Sequence, residues 1–206
     1  MLDEELPQGR GPEMHRNDSR ASREWYNADG SSNYKLSIEI PKPKLLVIGH
    51  GRHGKDTVSE ILCKEMDLHY QSSSEFCAGH VMFPVLSKKY GYKTVEECYA
   101  DRHNHRQEWY EMISGYCGSD LARLGREIFQ KFDIYCGLRN KREWSSMKNE
   151  GVYDYAIWVD RSDYLEKEDE TSNSMQPWMA DFFIDNNGTI ADLEYNVKTL
   201  ITHRLV

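Results

Sequence analysis

Between residues 45 and 66 the chain reads as an apolar run, a glycine-rich stretch and a helix, and that order restricts the fold more than any other feature. LLVIG, residues 45–49, is apolar throughout, as a strand covered on both faces of a parallel sheet must be. In TVSEILCKEM, Val58, Ile61, Leu62 and Met66 recur along one helical face. Between strand and helix lies Gly49-His50-Gly51-Arg52-His53-Gly54-Lys55-Asp56-Thr57, which has the GxxxxGK spacing of a phosphate loop. Backbone N–H groups in such a loop close around phosphate oxygens without Cβ obstruction. The helix N-terminus adds the positive end of its dipole. Lys55 is then the cation for the outer phosphates, and residues 49–57 are the candidate ATP-binding segment. The residue after the lysine is usually Ser or Thr, whose hydroxyl ligates Mg²⁺. Asp56 stands there instead, with Thr57 next. A carboxylate is also a hard-oxygen ligand, so both are candidate metal ligands.

A strand buried on both faces needs parallel partners and covering helices. Residues 133–137, 155–160 and 182–185 read as further strands, and 68–70 as a short one. Residues 100–112, 121–132, 141–149 and 191–202 read as helices. Ser72 with Glu75, and Thr94 with Glu97, have capping-box spacing. Strands alternating with helices predict a three-layer α/β domain with a mostly parallel sheet over residues 44–206. Residues 1–43 differ. They are polar and turn-rich, and the first 34 show no sustained period, which predicts a flexible extension. Within it KLSIEI (35–40) alternates as an edge strand does, before Pro41 and Pro43 break the chain.

Composition narrows the function classes. Twenty-six Lys and Arg against 34 Asp and Glu give a net charge of −8, which excludes a uniformly basic nucleic-acid coat but not a local basic cleft. No apolar run approaches the ~20 residues that span a bilayer, and the acidic start has no signal-peptide blocks. The five cysteines are widely spaced and form no CxxC pair, as expected of reduced thiols in a cytoplasmic protein. His103 and His105, two apart on a helix, point in different directions and make poor joint metal ligands. His50 and His53 are better read as helping the loop approach phosphates or as capping it.

The arginines are clustered despite the acidic total. Arg102 and Arg106 are four apart, and Arg123 and Arg126 three apart, so each pair shares a face if its segment is one helix. Guanidinium forks suit phosphates, but Asp101, Glu108, Asp120 and Glu127 are near enough to engage them as surface ion pairs. Arg139 and Arg161 follow strand ends, where an open parallel sheet holds its ligand crevice. Asp160 closes the run YAIWVD and is a candidate acid for Mg²⁺. Ser72–Ser73–Ser74 lies at a crevice edge where hydroxyls can meet an acceptor.

GHGRHGKDTV, DIYCGLRNKREWSSMKNEG, YAIWVDR and DFFIDNNGTIADL together resemble the phage-type deoxynucleoside monophosphate kinases, over about residues 44–201. The resemblance implies ATP- and Mg²⁺-dependent phosphoryl transfer to a deoxynucleoside monophosphate. It also implies a mobile helical acceptor and lid region, and, for a phage-encoded chain, a host cytoplasm as the setting. It places the turn at Asn186 near the donor adenine. The family often carries an acid before the position of Arg139; here Gly137 stands instead.

Two other readings remain open. One keeps the chemistry and moves the acceptor to a hydroxyl on a modified base in DNA, with Asp160, Asp101 or a histidine as base. The other is a nucleotide-binding regulator without turnover, with the acidic stretch 162–177 as a partner loop.

Overall fold

The computed structural model describes residues 22–26, 32–37, 41–169 and 173–205. The chain divides into two units between Pro41 and Lys42. In the first, β1 (Ser22–Tyr26) and β2 (Ser32–Ser37) form an antiparallel pair, with an irregularity between Trp25 and Tyr26. Both segments lie within the stretch 1–43 expected as a mostly flexible extension with a possible edge strand. Aromatic residues favour strands without an alternating pattern, and pairing between segments leaves no period within either. The predicted 35–40 strand overlaps β2 only at residues 35–37, and Ile38 and Ile40 lie outside the described residues. The other expectations for residues 1–40 also fall there.

In the second unit, β3 (Leu45–Ile48), β4 (Tyr70–Ser72), β5 (Ile134–Cys136), β6 (Tyr155–Asp160) and β7 (Phe182–Asp185) form one sheet in the order β4-β5-β3-β6-β7. Every neighbouring pair is parallel. The strand before the glycine loop is central, with β5 on one side and β6 on the other. The chain moves from β3 out to β4 and back to β5, then across β3 to β6. That reversal opens a crevice at the carboxyl end of β3, where the loop begins.

The period-2 alternation of the strands sorts the core into two layers. Leu46, Ile48, Tyr135, Ala156 and Trp158 face one side, packed with helices α2 (Ser73–Cys77), α3 (Phe83–Tyr90), α5 (Arg106–Cys117), α6 (Arg123–Phe129) and α7 (Lys141–Asn149). Leu45, Val47, Ile134, Ile157, Val159 and Ile184 face the other, against α1 (Lys55–Met66) and α8 (Ile190–Leu200). The three-layer α/β expectation holds.

The helix expected over 100–112 is broken. Helix α4 (Val95–Ala100) ends in a tight turn over Asp101–His103, and α5 begins only at Arg106. The break has a polar cause. Asp101 accepts from the Tyr92 hydroxyl, from Asn104 Nδ2 (2.6 Å) and from His105 Nε2 (3.0 Å), holding the corner in place of a continued helix. Residues 121–132 are helical only over α6, and the strand expected at 68–70 is shifted to Tyr70–Ser72. Ser72 and Thr94 cap α2 and α4 as their spacing predicts, accepting from Glu75 N and Glu97 N at 3.2 Å each.

Candidate active site

The loop after β3 is built on two buried histidines. His53 is fully buried, and its Nδ1 accepts from the Arg161 N–H at 2.9 Å. His50 Nδ1 accepts from the Glu168 N–H at 3.3 Å. The His50 ring meets those of His53 and Trp158 edge-on, each at 5.3 Å between centroids. A ring nitrogen that accepts from a backbone N–H is unprotonated, so both histidines are neutral with the proton on Nε2. Burial is the main cause that lowers both pKa values, in agreement with that state. Both residues support the loop from beneath.

Gly54 ends the loop at φ +89°, and a Cβ there would collide with the Asn186 side-chain amide, so glycine is required on both counts. Asn186, itself buried, donates from Nδ2 to His53 O at 2.9 Å and accepts from Arg161 Nη1 through its backbone and side-chain oxygens (2.9 and 3.3 Å). The residue expected near the donor base thus joins the loop to Arg161. A cleft of about 370 Å³ opens beside this junction, lined by Arg52, Thr57, Arg161, Thr189 and Ile190 among others.

Lys55 is mostly buried and donates from Nζ to His50 O at 2.7 Å, and burial depresses its ammonium below the ordinary value. Asp56 is exposed in the first turn of α1, where Cys136 Sγ donates to its Oδ1 at 3.4 Å. Burial, reinforced by that carboxylate, pushes the Cys136 thiol up to about 12. Asp160, at the end of β6, accepts from Ser162 Oγ (2.7 Å) and Asn187 Nδ2 (3.2 Å). Its burial alone would raise its pKa, but these hydrogen bonds outweigh it and hold the carboxylate low. No hydrogen bond or ion pair joins Asp160 to Asp56 or Thr57, and no group of three His, Cys, Asp or Glu among the described residues could hold a metal ion. That is no obstacle to Mg²⁺, which is held by one or two carboxylates together with substrate phosphates and keeps several waters. Exposed Asp56, whose one hydrogen-bond partner among the described residues is a thiol, and ionised Asp160 fit that need.

The six expected arginines separate into groups. Arg161 adjoins the loop through His53 and Asn186. Arg139 adjoins it through Glu168, donating to Oε1 at 2.7 Å while the Gly51 N–H donates to Oε2 at 2.6 Å. Burial would raise the Glu168 pKa; the Arg139 charge and the Gly51 N–H hold it below its usual value. Arg102 stacks on Tyr99 at 3.9 Å and donates to the Tyr99 carbonyl, while Ser74 Oγ donates to the Tyr99 hydroxyl at 3.5 Å. It therefore belongs to the crevice edge with the serine cluster.

The shared helical face expected for Arg102 and Arg106 is corrected, because the Asp101 corner separates them. Arg106 is exposed and has no ion pair among the described residues. Arg123 pairs with Glu127 (3.0 Å) and stacks on Tyr116. Arg126 pairs with Asp120 and Glu150. Glu150 follows α7, the helix that returns the chain to the start of β6, so that pair lies away from the loop. For Arg123 and Arg126, surface ion pairing is the arrangement found.

Two contacts at the loop have no signal in the sequence. Glu168 lies in an acidic stretch with no motif, and Asn173 donates to Gly49 O at 3.2 Å and to Glu168 Oε2 at 3.3 Å. Gly137, where an acid was expected, has φ +95°, a conformation that disfavours any side chain.

No family model and no curated protein matches the chain. Among solved structures it is similar to a shikimate kinase from Bacteroides thetaiotaomicron, with 9% identity and a TM-score of 0.44 over 79% of this chain and 98% of that one. A gluconokinase from Sinorhizobium meliloti 1021 gives 10% identity and 0.42 over 78% and 92%. TT1252 from Thermus thermophilus gives 14% identity and 0.45 over 80% and 99%. Similarity at this level carries neither a reaction nor a substrate to this chain. Its chemistry has to be argued from the loop.

Proposed function

We propose that the chain is an ATP- and Mg²⁺-dependent phosphotransferase whose acceptor is a deoxynucleoside monophosphate. One observation carries this reading: the Gly51 N–H, the partly buried Lys55 and two strand-end arginines all adjoin one loop at the carboxyl end of a parallel sheet. Phosphoryl transfer asks a protein mainly for positioning and for cations around the transferring group, and this set supplies both.

Lys55 exchanges the His50 carbonyl for donor phosphate oxygens, and the loop N–H groups hold the phosphates beside it. Asp56 and Asp160 would hold Mg²⁺, which would neutralise charge on the donor phosphates. The cleft beside Asn186 and Arg161 receives the donor's nucleoside. An acceptor phosphate oxygen forms the new P–O bond as the bond to ADP breaks, so no general base is needed. Arg139 and Arg161 face the transferring group, and Arg102 with the serine cluster faces the acceptor. The monophosphate acceptor is supported by the resemblance of the loop and strand ends to the deoxynucleoside monophosphate kinases.

The test is ADP release from ATP and Mg²⁺ against the four common deoxynucleoside monophosphates, 5-hydroxymethyl pyrimidine nucleotides and DNA carrying the modified base. Turnover with free monophosphates alone is expected. Activity confined to DNA would move the acceptor to a base hydroxyl, and nucleotide binding without turnover on any acceptor would leave a regulator.

A further inference from the structure

Glu168 makes contacts that a surface connection does not require. Its carboxylate accepts from the Gly51 N–H (2.6 Å), from Arg139 Nη1 (2.7 Å) and from Asn173 Nδ2 (3.3 Å). Its own N–H donates to His50 Nδ1, and a Cβ on Gly51 would stand 2.8 Å from Oε1. The carboxylate is thus seated against the backbone of the phosphate loop, on a loop N–H group and on an arginine placed for a phosphate. It presents two oxygens and a negative charge to donors that suit any oxyanion.

We propose that Glu168 is a built-in occupant of the loop's anion site, and that donor phosphates bind by displacing it. This rests on the reading of residues 49–55 as the donor-phosphate site. Two anions cannot share one set of donors, because like charges a few ångströms apart repel strongly. A phosphate reaching the Gly51 N–H therefore expels the carboxylate, and the same event releases Arg139 from its ion pair. Donor binding and the availability of Arg139 become one equilibrium. The apparent affinity for nucleotide is reduced by the fraction of molecules in which Glu168 is seated.

The test titrates the full chain, Glu168→Gln and Glu168→Ala by calorimetry with Mg²⁺·ATP and, separately, with inorganic tripolyphosphate. Gln keeps the shape and one acceptor oxygen but removes the charge, so a purely structural tie largely survives in it. Both variants are expected to bind both ligands about tenfold or more tightly than the parent chain, whether or not their unliganded melting temperature falls. Equal or weaker binding would overturn the displacement and leave the loop reading standing. So would tighter binding of ATP with tripolyphosphate unchanged, because the effect would then lie with the nucleoside. Binding by none of the three chains would sink the loop reading and the displacement together. A measurement on the parent chain guards against misfolded variants. Saturating tripolyphosphate should speed hydrogen exchange at the Glu168 amide by about tenfold or more, and unchanged protection overturns the proposal.

Discussion

Lys55 shows how much one side chain can carry. It is held by a single carbonyl, His50 O, in a position where burial already works against its charge. Lys55→Ala removes the loop's own lysine while leaving helix α1 a better helix former. We expect kcat to fall by about 10²–10³-fold, as when one preorganised donor is lost, with an unchanged circular dichroism spectrum. Retained activity in a folded variant would remove the loop from the mechanism. Glu143 is a different case. Burial pushes its carboxyl up to about 7, and it lies near enough to Tyr135, Cys77 and Cys117 to raise their pKa values as well. A carboxyl whose pKa is higher folded than unfolded binds more protons in the native state, so its ionisation costs stability as pH rises from about 4.5 through 7. Glu143→Gln should therefore raise stability at pH 8 by on the order of 2 kcal/mol, allowing for its partial exposure, and change it little at pH 4.5. Thermal melts at the two pH values separate this from a uniform packing effect.

Among the elements, the capped helix starts were the most legible part of the chain, because an N-cap is a contact between residues three apart. Thr94→Ala removes the acceptor for the Glu97 N–H and should cost about 1 kcal/mol, read as a lower urea midpoint at unchanged slope. The end of α4 was not legible, because it depends on tertiary partners. Tyr92 reaches Asp101 from the connection between α3 and α4, and no periodicity in residues 100–112 reports that hydroxyl. The partners that the arginines find are decided on the same ground. Spacing offered Arg123 and Arg126 as a pair, while Glu127, Asp120 and Glu150 had already claimed them. Arg139 and Arg161 were picked out because they follow strand ends, and strand ends meet at the loop whatever the helices do.

For the whole molecule, the sheet, its two apolar layers and the loop are all made by residues from 45 onward. Among the described residues, β1 and β2 pair only with each other. A chain of residues 42–206 should therefore fold and melt within a few degrees of the full chain, a shift corresponding to about 1–2 kcal/mol at this size. A large loss of cooperativity on calorimetry would show that the first unit is required.

The sequence by itself determined the strand–loop–helix and the alternation of strands and helices. It also determined that β3 is covered on both faces, because these features depend on neighbours one to four residues away. Only the tertiary structure decided the strand order and the arginines that adjoin the loop. It alone brought Glu168 to Gly51 across 117 residues of chain. Pairings at that separation are selected by the packing of the whole sheet and leave no local trace in composition or period.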